Sequence, residues 1–557
     1  MKKFLIGLSF CLTIIVGLFI FSQDFRQFIT LHAQGEAEYL SAIELEKLSQ
    51  EEQGAYYFLT GDFGGLSTKT LRGAAAPWIL MSSAITLNYV EGDLEKVDQK
   101  ALRKAFQQWG FTSPQTIANW PADLPLPELK TPMGFTTGSV ARNIPPIEVT
   151  ASNISCTACH SNPTYDVNGL PNPTTIWLGT PNSSINLESY PQAIYDSFLK
   201  YGNDPKLMQA ADILFPEMSK TERRTLTKFI LPAAKKRMKE LENTLGRAVP
   251  FIGGYPGITN GLDSLHIQLG IQSREDMAPL SAFNSIPNID GHMFRTSFLN
   301  VGNYEIPKYD SQRSITPENI TNEHLDNLGA MAAFFIVPSM GVEPLDARKQ
   351  IPAAQATMRF IKDVKTQPFP GTINQEMAKL GSALYVVQCA SCHGDYNSEG
   401  QLVSFPNYIG EIGTDPLRIE LLKSAQTAKA INNSVMGEHI HAVDPIGYIA
   451  PPLNGIWATA PYMHNGSIPT LKHVFNPSTR PKKFYVGGQK LNYELVGIDG
   501  QLNGQGVWTY PEGYVPWANT ALFDTTKKGH SSQGHTSPFD DMSDADKRAL
   551  IEYLKTL

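Results

Sequence analysis

The sequence predicts a mainly α protein of two related domains, the first strongly elaborated with long loops and insertions. Three observations predict it. The pentapeptide Cys156-Thr-Ala-Cys-His160 returns 233 positions later as Cys389-Ala-Ser-Cys-His393. Apolar stripes at three- and four-residue spacing, some opened by capping boxes, mark helices around both copies. Proline-rich stretches without periodicity, Pro121 to Pro146 and Asn162 to Pro191, read as extended loops flanking the first pentapeptide.

In chain order, Met1-Lys2-Lys3 precedes an 18-residue uncharged, mostly apolar run from Phe4 to Phe21, which includes Cys11. This pattern is an export signal, and its length also sits at the threshold for spanning a bilayer. Residues 1–35 are therefore expected to be a cleaved signal or a retained membrane anchor. Either one delivers the body to the periplasm. Residues 36–62 read as helical. A helix is expected from Ser219, where Ser219 and Glu222 form a capping box, and Leu226, Ile230, Ala233, Met238, Leu241 and Leu245 share one face. Pro232 should kink it, and Gly246 should stop it. Gly253-Gly-Tyr-Pro-Gly257 reads as a turn, because no Gly-Lys-Ser/Thr follows to make a phosphate loop.

The Thr366-Gln-Pro-Phe-Pro-Gly371 segment is a rigid linker. It divides an N-terminal unit, 36–370, from a C-terminal unit, 371–557. Met377, Leu380, Leu384 and Val387 form a stripe leading into Cys389. A second capping box, Ser543 to Asp546, opens a closing helix striped by Leu550, Tyr553, Leu554 and Leu557. No short-period repeat occurs, but the two pentapeptides fit a duplicated core with large insertions in the first copy.

The net charge is −7 and 18% of residues are charged, with no long basic run. Nothing in that balance points to nucleic acid. The densest basic stretch, Lys220 to Lys239, is interleaved with apolar residues and reads as a solvated helix face.

Four of the five cysteines belong to the two pentapeptides. Cys-x-x-Cys-His is the attachment pattern for c-type haem. The cysteines Cys156, Cys159, Cys389 and Cys392 reach the porphyrin vinyls from one short turn, and His160 and His393 then meet the iron. Zinc fingers and ribbons need far closer cysteine pairs. A redox dithiol has no use for a following histidine twice. Two covalent haem c groups are expected. Ten of twelve histidines lie outside the motifs, and spacing alone does not choose a sixth ligand among them.

The stretch Pro451-Pro-Leu-Asn-Gly-Ile-Trp-Ala-Thr-Ala-Pro-Tyr-Met-His-Asn-Gly-Ser467 resembles the signature of the di-haem cytochrome c peroxidase superfamily. Its longer form, with Arg480-Pro-x-x-Phe484 and the run Gly529 to Leu557, is more similar to the di-haem rubber oxygenase branch. The first half resembles that superfamily mainly through Cys156 to His160.

The resemblance implies two cytochrome c-like haem domains of unequal duty. The haem on His160 is the reactive one, with a vacant or displaceable distal face, and the haem on His393 stores or transfers electrons. The peroxidases supply a methionine to the second iron soon after Pro-Tyr-x-His, but Gly466 to Lys482 contains none. The oxygenase branch uses a histidine near the C-terminus, which makes His535 the expected sixth ligand, with His530 next and Met436 and Met463 behind. His464 is expected as a buried hydrogen-bonding residue. Arg480 is a candidate partner for a haem propionate, and Trp177 is a candidate for the space between the haems. The distal residue of the first haem is unassigned.

The resemblance also implies hydrogen peroxide, dioxygen or a small or apolar substrate. A small soluble cytochrome or cupredoxin is the expected electron partner, and an inner-membrane tether is the other expected association. The competing expectation is a non-enzymatic di-haem electron carrier.

Overall fold

The computed structural model describes residues 43–61, 75–142, 146–244, 246–247, 258–259, 261–271 and 284–557. The export segment 1–35 and the turn Gly253 to Gly257 lie outside the described residues, as does the start of the 36–62 helix. No described helix is long and apolar enough to cross a membrane.

Two crossed helix pairs frame the molecule. In the C-terminal half, Gln375–Gln388 runs into Cys389 and packs across the closing helix Asp544–Leu554. In the N-terminal half, Gln50–Thr60 crosses Ile351–Ile361 in the same way. Each crossing depends on a glycine. A Cβ on Gly381 would lie 2.0 Å from the Ala549 carbonyl oxygen, and one on Gly54 would lie 2.0 Å from that of Ala356. Only a residue without a side chain lets the backbones approach so closely.

The N-terminal pair carries its insertion between helix and motif. Gln50–Thr60 ends at Gly61, in the left-handed region at φ 59°. The chain then departs for more than ninety residues before it returns at Cys156. The return is close enough that a Cβ on Gly61 would sit 2.5 Å from that of Ser155. Thr157 Oγ1 donates to the Leu59 carbonyl (3.0 Å) and fastens the two ends. The intervening chain builds its own core around Trp78, Phe106, Phe111, Phe135 and Tyr190, whose rings meet edge-on or tilted.

The fold is mixed α/β rather than mainly α, with 41% helix and 15% strand in many small sheets. Both stretches expected to be loops contain strands. Phe135–Arg142 pairs with Ile147–Ile154 in antiparallel register from Phe135↔Ile154 to Arg142↔Ile147. Ser161–Tyr165 pairs with Pro171–Leu178. Threonine, asparagine and serine dominate these strands, so their apolar alternation is weak. The β-branched Thr136, Thr137, Val140, Val149 and Thr150 carried the remaining signal. In the C-terminal half, Lys483–Val486 pairs antiparallel with Ala521–Asp524 and parallel with Val507–Thr509.

The Ser219 cap forms, with its hydroxyl accepting from the Glu222 amide at 2.9 Å. The kink expected at Pro232 takes the form of a π-helical turn, Leu226–Ile230, just before it. Proline lacks the amide that would bond the carbonyl four residues back, and the wider turn accommodates that loss. Gly246 stops the helix at φ 63°.

The stripe Met377, Leu380, Leu384, Val387 does not face the core. Leu380 is 64% and Val387 76% exposed, whereas Ala378, Gly381 and Tyr385 are buried. The close glycine crossing turns the small-residue face inward. The closing-helix stripe behaves as expected, with Leu550, Tyr553 and Leu554 buried.

The crossing makes a direct prediction. Gly381→Ala should destabilise the protein by roughly 1–3 kcal/mol, the usual range for overpacking. Leu380→Ala should stay within about 0.5 kcal/mol of wild type, as exposed substitutions do. Denaturant melts of both variants check it.

Candidate haem sites

Each pentapeptide forms a single helical turn. Cys156–Cys159 opens after Ser155, and Ala390–His393 follows Cys389. In the first, the His160 amide donates to the Cys156 carbonyl at 3.0 Å. In the second, the His393 amide donates to the Cys389 carbonyl at 2.9 Å. The turn is what brings two sulfurs and one imidazole to a single edge. Asn182 braces the first site, its side-chain amide donating to the Ala158 and Gly110 carbonyls.

Burial pushes the Cys156 thiol up to about 11 and the Cys159 and Cys389 thiols up to about 12. A dithiol built for redox exchange needs the opposite shift. Burial also drives both motif imidazoles down to about 4, so they are neutral at pH 7. A neutral imidazole is the form that ligates a metal.

A proline carbonyl stands behind the imidazole of the second motif. His393 Nδ1 lies 2.8 Å from the Pro451 carbonyl oxygen. That bond places the proton on Nδ1 and leaves the Nε2 lone pair for iron. At the first site the Pro287 carbonyl opposes the effect of burial on the His160 ring, but among the described residues His160 Nδ1 has no hydrogen-bond partner.

His535 faces His393, with ring centres 6.1 Å apart and planes at 54°. An imidazole–metal bond is about 2 Å long, so two rings gripping one ion from opposite faces have centres roughly 6 Å apart. The pair therefore has the separation that one six-coordinate iron requires. His535 sits at φ 50°, its amide donates to the Ile412 carbonyl (2.8 Å), and its ring stacks on Phe539. Its Nδ1 is buried without a partner.

Arg480 holds the loop that presents His535. Its guanidinium donates to the carbonyls of Ser532 (2.5 Å), Gly534 (2.9 Å), Val474 (2.9 Å) and His473 (3.0 Å). Four of its five N–H donors are thus spent on backbone. One N–H donor remains for the propionate expected from the sequence.

The alternatives to His535 are engaged elsewhere. His530 stacks on Phe523 and bonds the Asp524 carbonyl. Met436 is buried in the core of the N-terminal half, and Met463 occupies a positive-φ position at 72°. His464 stacks on Tyr448 with centres 4.0 Å apart. Burial and the Arg418 charge lower it to about 3. Trp177 lies in Pro171–Leu178 and donates its indole N–H to the Lys365 carbonyl (2.6 Å).

Sequence reasoning missed an internal repeat. Pro287-Asn-Ile-Asp-Gly-His-Met-Phe and Pro451-Pro-Leu-Asn-Gly-Ile-Trp-Ala lie 164 positions apart. Gly291 and Gly455 are left-handed (φ 85° and 57°), and so are Leu299 and Met463 (65° and 72°) and Gly302 and Gly466 (63° each). A 3₁₀ turn follows the first glycine in both. The two segments also touch, because Asn288 Nδ2 donates to the Asn454 carbonyl (2.6 Å) and Asn454 Nδ2 donates to Asp290 (3.2 Å).

His292, in the first copy, is a further buried imidazole beside His160. Burial, with the Arg295 and His160 charges, lowers it to about 3. It occupies the place of Ile456, on the turn that backs the motif histidine rather than on a separate loop like that of His535.

The residues at both motifs fit covalent haem c, with two thiols and a neutral imidazole at each, and with the Pro451 carbonyl behind and His535 opposite the second imidazole. Replacing Cys156 and Cys159 with serine should remove one of two covalent haems, and so should replacing Cys389 and Cys392. Pyridine haemochrome assay of purified protein counts them. His535→Ala should convert the second haem from low-spin to high-spin in its visible spectrum, whereas His530→Ala should leave it low-spin.

Comparison with known proteins finds a family over one stretch of the C-terminal half. Residues 447–485 match a family described as RoxA-like, cytochrome c-like. The chain is also similar to two uncharacterized proteins of Sinorhizobium fredii (strain NGR234). It is 29% identical to y4iM over 205 residues, 32% of this chain and 44% of that protein. It is 37% identical to y4iJ over 255 residues, 34% of this chain and 40% of that protein. The chain thus spans less than half the length of either relative. A RoxA-like cytochrome c domain lies at residues 447–485, which implies covalently bound haem c and haem-based oxidoreduction.

Proposed function

We propose that the chain is a periplasmic di-haem c-type oxidoreductase. It acts on hydrogen peroxide or dioxygen at the Cys156–His160 site and passes or stores electrons at the Cys389–His393 site. The observation that carries this reading is the His393–His535 pair at 6.1 Å. Two strong axial nitrogens suit a site that exchanges electrons and leave no room for an oxidant.

The first site supports the complementary role. Among the described residues, the imidazole next to His160 is His292, and its turn is the one that backs His160. Among the described residues, no histidine ring pairs with His160 as His535 does with His393. Haem c bound at such a site supplies one-electron and oxidant chemistry, while the chain supplies ligation, access and dielectric. Buried Phe298 stacks on His292, with ring centres 6.3 Å apart.

A small soluble cytochrome or cupredoxin is the proposed electron partner. Residues 1–35 are the proposed export signal or inner-membrane tether.

The test uses the full chain produced with a c-haem maturation system. Reduced protein should bind carbon monoxide at one of its two haems, and hydrogen peroxide should perturb that same haem. Two low-spin haems inert toward carbon monoxide, dioxygen and peroxide would establish the electron carrier instead.

A further inference from the structure

Arg295 is a buried cation without an anion. It is 4% exposed, and Nη2 donates to the Leu299 carbonyl at 3.1 Å. Nε is buried with no partner. Among the described residues no carboxylate pairs with it. A guanidinium has five N–H donors, and among the described residues Arg295 makes one hydrogen bond with them. Desolvation lowers its pKa to about 10, so it remains charged at pH 7. A fully buried charge costs several kcal/mol unless a counter-charge meets it.

Its position says where that counter-charge comes from. Arg295 ends the 3₁₀ turn His292–Phe294, and a run of backbone hydrogen bonds ties that turn to the first motif: Arg295 N–H to the His292 carbonyl (3.0 Å), His292 N–H to that of Ile289 (3.0 Å), Ile289 N–H to that of Gly179 (3.1 Å) and Gly179 N–H to that of His160 (2.8 Å). Its charge acts on His292, which in turn feels His160. The free donors therefore belong to the wall of the first haem site. A haem brings two propionate carboxylates to its site, and a planar, bidentate guanidinium is the side chain best suited to grip one.

The repeat shows that this is a difference between the two sites. The position equivalent to Arg295 is Thr459, whose hydroxyl donates to the Ile456 carbonyl within its own turn (3.0 Å). We propose that Arg295 binds a propionate of the haem carried by Cys156, Cys159 and His160. In doing so it raises the reduction potential of that haem relative to the one carried by His393. The sign follows from charge. Ferric haem carries one more positive charge than ferrous haem, so a nearby buried cation disfavours the oxidised state. The inference rests on the di-haem reading.

The experiment compares wild-type holoprotein with Arg295→Gln, Arg295→Lys and the control Thr459→Val. Haemochrome assay first counts covalent haems. A wild-type chain without haem at Cys156–His160 sinks the di-haem reading itself, before any potential is measured. Spectroelectrochemical titration then gives both potentials, with the His535→Ala spectrum identifying the second haem. Arg295→Gln should lower the first potential and leave the second unmoved, and Thr459→Val should move neither. Resonance Raman of the propionate bending mode should shift in both Arg295 variants. An Arg295→Gln protein that holds two haems and keeps its first potential and propionate mode overturns the proposal. Should that variant lose its first haem, a propionate mode in Arg295→Lys identical to wild type overturns it equally.

Discussion

The hydrogen bond between the Pro451 carbonyl and the His393 imidazole is the constraint around which the second site is arranged. His393 Nδ1 meets the Pro451 carbonyl at 2.8 Å, and the Pro287 carbonyl acts on His160. Without that acceptor a buried imidazole is free to choose its tautomer and rotate, and its metal-facing nitrogen is undefined. With it, one nitrogen is committed and the other is aimed. Much else in the C-terminal half can be traced to supplying the acceptor. The left-handed glycine after its proline segment reverses the chain, and the following 3₁₀ turn fixes the carbonyl's direction. The crossed helices then hold the Cys-x-x-Cys-His turn against it.

The same segments join the halves. Asn288 and Asp290 of the first repeat bond Asn454 of the second. The linker runs beside them, with the Thr366 amide donating to Asp290 (2.8 Å) and Gln367 bonding Tyr165 in both directions. Both tryptophans near the linker donate to its carbonyls, Trp177 to Lys365 and Trp457 to Gln367. The stretch that reads as a spacer from its prolines is thus a packed, hydrogen-bonded seam. A core running from Phe58 through Phe334 to Tyr448 draws on residues from both sides of it.

What was legible in the sequence follows from where each signal resides. The two Cys-x-x-Cys-His motifs are covalent chemistry and need no context. The caps at Ser219 and Ser543 are local hydrogen bonds, readable within four residues. The strands at 135–154 and 161–178 were not legible, because Thr, Ser and Asn pair well across a sheet without producing an apolar rhythm. The stripe ending at Val387 misled for a related reason. Apolar periodicity assumes that large side chains seek the core, whereas Gly381 brings two backbones together and leaves them outside. The Pro287 and Pro451 repeat is written in backbone conformation, at Gly291, Leu299 and Gly302 and their counterparts, more than in side-chain identity. Arg480 was readable as important but not as the clamp of the His535 loop, since its four carbonyl acceptors come from two segments more than fifty residues apart.

The duplication explains why one chain can hold two similar sites with unequal properties. Crossed helices, motif turn and proline segment occur in both halves. The differences lie where the shared frame places no demand. The imidazole facing His393 comes from Gly529–His535, a segment after the repeat that the described residues of the first half do not match with an equivalent histidine. The residue after the 3₁₀ turn is threonine in one copy and a buried arginine in the other. Neither change disturbs the proline segment or the helix crossing, so each site keeps its motif turn. Axial ligation and local charge are the two levers by which a protein separates the behaviour of chemically identical haems. In this chain His535 lies outside the repeated segment, and Arg295 occupies a position within it that the second copy gives to Thr459.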